Sequence, residues 1–222
     1  MFALSGCGLI DSDVTNFDLT LPDKAFSVDA TGWQVDQGQA DTFLMTNCSS
    51  APMVCMTAAT TACPMNCTGT CSTTTSTCEL GLDVGLYKTI DLVTEKPELK
   101  EINDRAVIEV KIDSVSYAVT MNTLTVETPE MKVYVAPMSI MDPEDPMAKH
   151  IGTIAAVPAL ATVSLREMTF TPDGRAALIA IMSTYKNPFN IIVGSQLVMS
   201  SGDMVPTGKL DAVVRIKAHA GL

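Results

Sequence analysis

Apolar and polar residues alternate over much of the chain beyond residue 80, and a period of two marks strands that bury one face. Val84, Leu86, Ile90 and Leu92 share one parity, which predicts a strand over residues 82–93. Arg105 to Thr120 is rich in branched residues, and its parity shifts at Asp113-Ser114, which predicts a bulge. Met131 to Val135 alternates again and stops before Pro137. Shorter runs at Leu124–Val126, Ile151–Val157 and Val163–Leu165 predict further strands. Phe189–Val193 and Gln196–Met199 predict a strand or a bent pair with Gly194 as the kink, and Gly208–Ala218 a closing strand. Upstream, Phe17–Leu21 and Ala25–Val28 fit the same pattern, and Gly32-Trp33-Gln34-Val35 leads on toward a cysteine-rich stretch.

Helical spacing is rarer. Leu178, Ile181, Met182 and Tyr185 fall on one helical face, with Asp173 placed to cap it and Pro188 to stop it. Pro97 and Glu98 suit the first turn of a shorter helix over residues 96–102. Roughly eight to ten strands at this spacing predict a mainly β fold. The expected architecture is an antiparallel β-sandwich, immunoglobulin-like in the loose sense. It carries one short helix near 174–185 and a disulfide-rich loop insertion. Residues 16–222 are expected to form one sandwich domain, with the insertion at 46–80.

Six of the seven cysteines fall in that insertion: Cys48, Cys55, Cys63, Cys67, Cys71 and Cys78. The stretch from Met45 to Thr77 contains no Lys, Arg, Asp, Glu, Phe, Tyr or Trp. It has little apolar area to bury, so cross-links are the means of ordering it. An even six cysteines points to disulfides and an oxidising, exported setting; the 15 pairings they allow stay open. The expected module is loop-rich, with little regular structure. A second reading is a copper or zinc site, using the thiolates of Cys63, Cys67 and Cys71 with the thioethers of Met53, Met56 and Met65. Neither short cysteine spacing is C-x2-C, and neither His150 nor His219 lies nearby. Asn47-Cys48-Ser49 and Asn66-Cys67-Thr68 match the glycosylation acceptor pattern, which chance also produces.

The seventh cysteine stands in Leu4-Ser5-Gly6-Cys7, which resembles the lipobox of bacterial lipoproteins. The resemblance implies cleavage before Cys7 and a diacylglycerol on its sulfur. Residues 1–6 would then be the remnant of a signal peptide and residues 7–15 a tether. Only six residues precede Cys7 and none is basic, short of a full signal peptide. Gly8, rather than Asp, after the cysteine suits the outer membrane. The strand order of the C-terminal half, with its Asn187-Pro188-Phe189 turn, distantly resembles the β-sandwich domain of late-embryogenesis and water-stress proteins. That resemblance implies a fold and no function.

Charge narrows the partners. Twenty-five acidic residues against 14 Lys and Arg give a net charge of −11, which argues against nucleic acid. Seven aspartates against Lys24 alone between residues 8 and 41 suit a solvated tether. The expected function is a non-enzymatic, lipid-anchored envelope protein without a cofactor. Its role is structural, adhesive or accessory, and its partners are the membrane and another envelope protein or surface polymer. The alternatives are the metal-handling reading and a hydrolase whose triad assembles only in space, with His150 or His219 as its base. Asp142, Glu144 and Asp145 offer oxygen ligands for calcium, although two prolines set the loop apart from an EF-hand. The methionines at 131, 138, 141, 147, 168, 182, 199 and 204 are expected to fill the core.

Overall fold

The computed structural model describes residues 16–102 and 108–221. Two long strand pairs set its frame. β4 (Cys78–Ile90) runs antiparallel to β10 (Phe189–Met199), and β5 (Glu109–Asn122) runs antiparallel to β11 (Lys209–Gly221). β1 (Asn16–Asp18) and β2 (Lys24–Asp29) share the far edge of β11, and β8 (Val163–Glu167) flanks β5. The second sheet runs β3 (Cys67–Cys71), β4, β10, β6 (Met131–Pro137), β7 (Lys149–Ile154) and β9 (Thr169–Phe170). Every strand pairing among the described residues is antiparallel. Phe26, Tyr117 and Leu210 from the first sheet meet Leu86, Met131 and Val193 from the second. This buried layer is what the alternating pattern demanded.

Local irregularities follow from the same logic. The β5–β11 register slips at Asp113, so Val110 and Ile112 bury on one parity and Val115, Tyr117 and Val119 on the other. β10 departs from expectation, because its ladder with β4 runs unbroken through Gly194. No bend is needed there; a Cβ on Gly194 would lie 2.7 Å from Pro143 Cβ, so the glycine makes room for an overlying loop. Residues 124–127 form no strand. Asn122 holds the adjoining loops instead: its Oδ1 accepts the Leu124 N–H, and its Nδ2 donates to the carbonyls of Pro158 and Ala161. Gly32–Val35 is a 3-10 turn over Ala30–Trp33 followed by left-handed Gln34, rather than a strand extension.

The helix expected near 174–185 is the last of four α-helices among the described residues. The others are α1 (Gln37–Leu44), α2 (Met53–Ala62) and α3 (Leu92–Glu95), with α4 at Gly174–Ser183. Asp36 and Asp91 cap α1 and α3 by accepting N–H bonds from Gln39 and from Val93 and Thr94. α3 leads into a 3-10 turn over Pro97–Ile102. In α4, Leu178 and Met182 are buried, while Arg175 lies over the Phe170 ring and donates to the Ile112 carbonyl. The cysteine segment therefore holds more regular structure than its composition suggests. α2 buries only Cys55, Ala59 and Ala62, so its inner stripe carries no large apolar residue to betray a helical period. Small residues let it lie directly on β3: a Cβ on Gly69 would come within 2.1 Å of the Cys55 carbonyl oxygen.

Candidate functional site

The described residues leave a cleft of about 850 Å³ on the open side of the sandwich. Its bounds follow from where strands stop. β3 pairs with β4 only from Cys71 to Cys67, opposite Cys78 to Leu82. The next bond, from Asp83 N–H to the Asn66 carbonyl, is the last backbone–backbone bond on that side of β4 among the described residues. Trp33, itself buried, donates its indole N–H to the Asp83 carbonyl at 2.9 Å and closes the upper end. From there the cleft extends past Ser27 and Asp29 of β2, across Gly85 and Gln196, to Lys132, Tyr134 and the loop at residues 142–144. A Cβ on Gly85 would meet nothing within 4 Å, so the floor is open at that point.

The walls are polar and fixed. Gln196 Nε2 donates to Asp83 Oδ1 at 2.7 Å and to Thr68 Oγ1 at 3.0 Å, joining three strands. Ser195 Oγ donates to the Glu130 carbonyl at 3.0 Å. Asn190, fully buried, donates to the carbonyls of Met138 and Ile140 and accepts from Thr89 Oγ1, which ties the next loop to β10. Five carboxylates line the cleft, those of Asp29, Asp83, Glu130, Asp142 and Glu144, against the single ammonium of Lys132. Burial pushes the Tyr134 phenol above its usual pKa, and the Glu144 carboxylate adds to the effect, so Tyr134 stays protonated and neutral. Hydrogen bonds from the Thr31 hydroxyl and N–H hold Asp29 below the usual carboxylate range. The cleft is thus strongly negative at neutral pH.

The six module cysteines form three disulfides: Cys48–Cys71, Cys55–Cys78 and Cys63–Cys67. Cys71 and Cys78 face each other across the β3–β4 hairpin, and each reaches over to the helical side of the module. The first two bridges therefore lie side by side, which brings the sulfurs of Cys48, Cys55 and Cys78 within 4.8 Å of one another. Pairing consumes the thiolates that a soft-metal centre would use. Cys7 and the tether at 7–15 lie outside the described residues.

The remaining candidates do not converge. His150 Nε2 is 3.0 Å from the Gly152 carbonyl oxygen, and its ring packs against Tyr134. His219 lies on the other sheet, with Nδ1 3.1 Å from Asp113 Oδ1. Neither contact joins a histidine to a serine. Asp142 Oδ1 accepts the Glu144 N–H and Asp145 Oδ1 that of Met147, so turn geometry accounts for this acidic loop. Methionines 131, 168, 182 and 199 fill the core as expected, whereas 138, 141, 147 and 204 are exposed.

Asp83, Gly85 and Gln196 were not singled out from the sequence. Their signal was a glycine in the middle of each of two long strands, at positions that turn out to be directly paired, Gly85 with Gly194. No family model matches the chain, and no curated protein matches it in sequence.

Proposed function

We propose that this protein is a non-enzymatic binding module of the cell envelope, held at the outer membrane by a lipid on Cys7. The cleft beside β4 is the observation that carries the binding role, because it is large, open and lined by side chains fixed by hydrogen bonds. Three disulfides support an oxidising compartment. The lipobox-like Leu4-Ser5-Gly6-Cys7 supports the anchor. Another envelope protein or a surface polymer is the partner the cleft would engage.

Two measurements test this reading. Intact mass of the protein from its native host should show an N-terminus at Cys7 with added acyl mass and six cysteines that alkylate only after reduction. An unprocessed N-terminus with free thiols removes the envelope assignment. Gly85→Trp should fill the cleft floor, keep the wild-type melting temperature and behave in cells as the deletion does. Full function of that folded variant removes the cleft as the working site.

A further inference from the structure

Hydrogen-bonding directions along β4 alternate in an antiparallel ladder, so each residue turns both its N–H and its C=O to one side. The Asp83 N–H goes to Asn66 and its carbonyl accepts from Trp33, so Asp83 points away from β10. Gly85, Tyr87 and Thr89 share its parity within the unbroken β4–β10 ladder. Their N–H and C=O groups therefore face the same way, and among the described residues no strand pairs with β4 there. Residues 85 and 87–89 are also solvent-exposed. This is an open, unbulged sheet edge about five residues long, beginning where β3 leaves off and opening into the cleft. An exposed edge of this kind is a template for one more strand.

We infer that the edge at Gly85–Thr89 binds an extended, basic polypeptide segment by strand addition, an inference that rests on the cleft being the binding site. Backbone bonds to Gly85, Tyr87 and Thr89 would supply affinity independent of sequence, and the side chains around them would supply selectivity. The cleft's carboxylates outnumber Lys132 five to one, so alternate Lys or Arg side chains on the incoming strand would meet opposite charge. Tyr87 is 43% exposed and offers a ring face beside the edge for a cationic head. Gly85 leaves space over the floor where an incoming side chain would lie. Lys88 is the one cation on this stretch of β4; its backbone pairs inward with Ile191.

The test uses the whole protein and three synthetic peptides: one alternating lysine and valine, its glutamate counterpart, and the lysine peptide N-methylated on alternate residues. Amide exchange is followed at Gly85, Tyr87 and Thr89. The lysine peptide should slow exchange at all three by about tenfold or more, whereas the glutamate and N-methylated peptides should leave it unchanged. Tyr87→Pro, which removes one outward donor at an edge position that tolerates proline, should weaken lysine-peptide binding by about tenfold. Equal protection by the glutamate peptide overturns the charge preference. Shifts at Asp142 and Glu144 without protection of the three amides overturn strand addition while leaving the cleft as a binding site. Absence of binding by every peptide overturns the inference, and the Gly85→Trp result then decides separately whether the cleft reading survives.

Discussion

The cysteine segment and the sandwich it adjoins are ordered by different means. The sandwich interior is built from large side chains such as Phe189, Leu80, Leu82 and Ile191, all but inaccessible to solvent. Each such side chain contributes about 1.5–3 kcal/mol on burial. The segment from Met45 to Thr77 has no charged or aromatic residue, and α2 buries only a cysteine and two alanines. Its packing is close but its buried area is small, so the covalent bridges Cys48–Cys71 and Cys55–Cys78 stand in for the missing core. The contrast shows that tight packing and strong packing are separate properties. The first needs small residues, the second large ones.

The comparison can be broken most forcefully in the sandwich. Phe189→Ala, in the central strand of the second sheet, should cost about 3–5 kcal/mol in denaturant unfolding. A cost below about 1 kcal/mol would mean that the strand is not the centre of the core. Next come the bridges. Replacing Cys55 and Cys78 together by alanine opens a link spanning 23 residues and should cost about 3 kcal/mol. The same replacement at Cys63 and Cys67, which are four residues apart, should cost about 2 kcal/mol. Chemical reduction should loosen residues 46–80, read by amide exchange, while the sandwich keeps its cooperative transition. Collapse of the whole transition on reduction would show that the two regions fold as one unit.

A finer contrast lies between two glycines that look alike in sequence. Gly69→Ala drives a methyl group into the Cys55 carbonyl and should cost about 1–3 kcal/mol, detected as a lower melting temperature. Gly85→Ala adds a methyl group to open space and should change stability by less than about 0.5 kcal/mol. The smallest effect concerns charge. Arg215 holds both carboxylate oxygens of Asp23, at 2.7 and 2.8 Å, and lowers its pKa below the usual carboxylate value. The folded state therefore takes up that proton later than the unfolded state does. The contribution is complete above the unfolded pKa of about 3.9 and is lost as pH falls through the folded value. Melting temperatures of the wild type and Asp23→Asn should differ slightly at pH 6 and converge near pH 2. The effect stays small because both groups are about one-third exposed.

The sandwich was legible because its strands bury one face each, and a period of two survives in sequence wherever that holds. Even the bulge at Asp113 showed as a change of parity. α2 is not legible in the sequence, because a helix that buries only alanine and cysteine leaves no periodic apolar signal. α1 buries Phe43 and Leu44 with Ala40, but its eight residues give one apolar turn rather than a repeat. In the sequence the glycine at 194 marks a kink, whereas in the fold it admits Pro143, a contact 51 residues away that no local pattern carries. The cleft was hidden for a similar reason. Asp83, Gln196 and Asp142 are far apart in the chain and meet only through the β3–β4–β10–β6 order.

What the sequence alone determined was the kind of order. Alternation gave strands, an even six cysteines in an uncharged stretch gave disulfides, and the acidic balance set a net charge of −11. Each of these depends on composition or on near neighbours. The tertiary structure decided which cysteines pair, because pairing follows from the hairpin that sets Cys71 opposite Cys78 and from the helix laid across it. It also decided where the sheet stays open. A free edge arises only where the neighbouring strand ends. Among the described residues the β3 pairing stops at Cys67 opposite Leu82, so that residues 83–86 of β4 line the cleft and residues 87–89 continue the open edge.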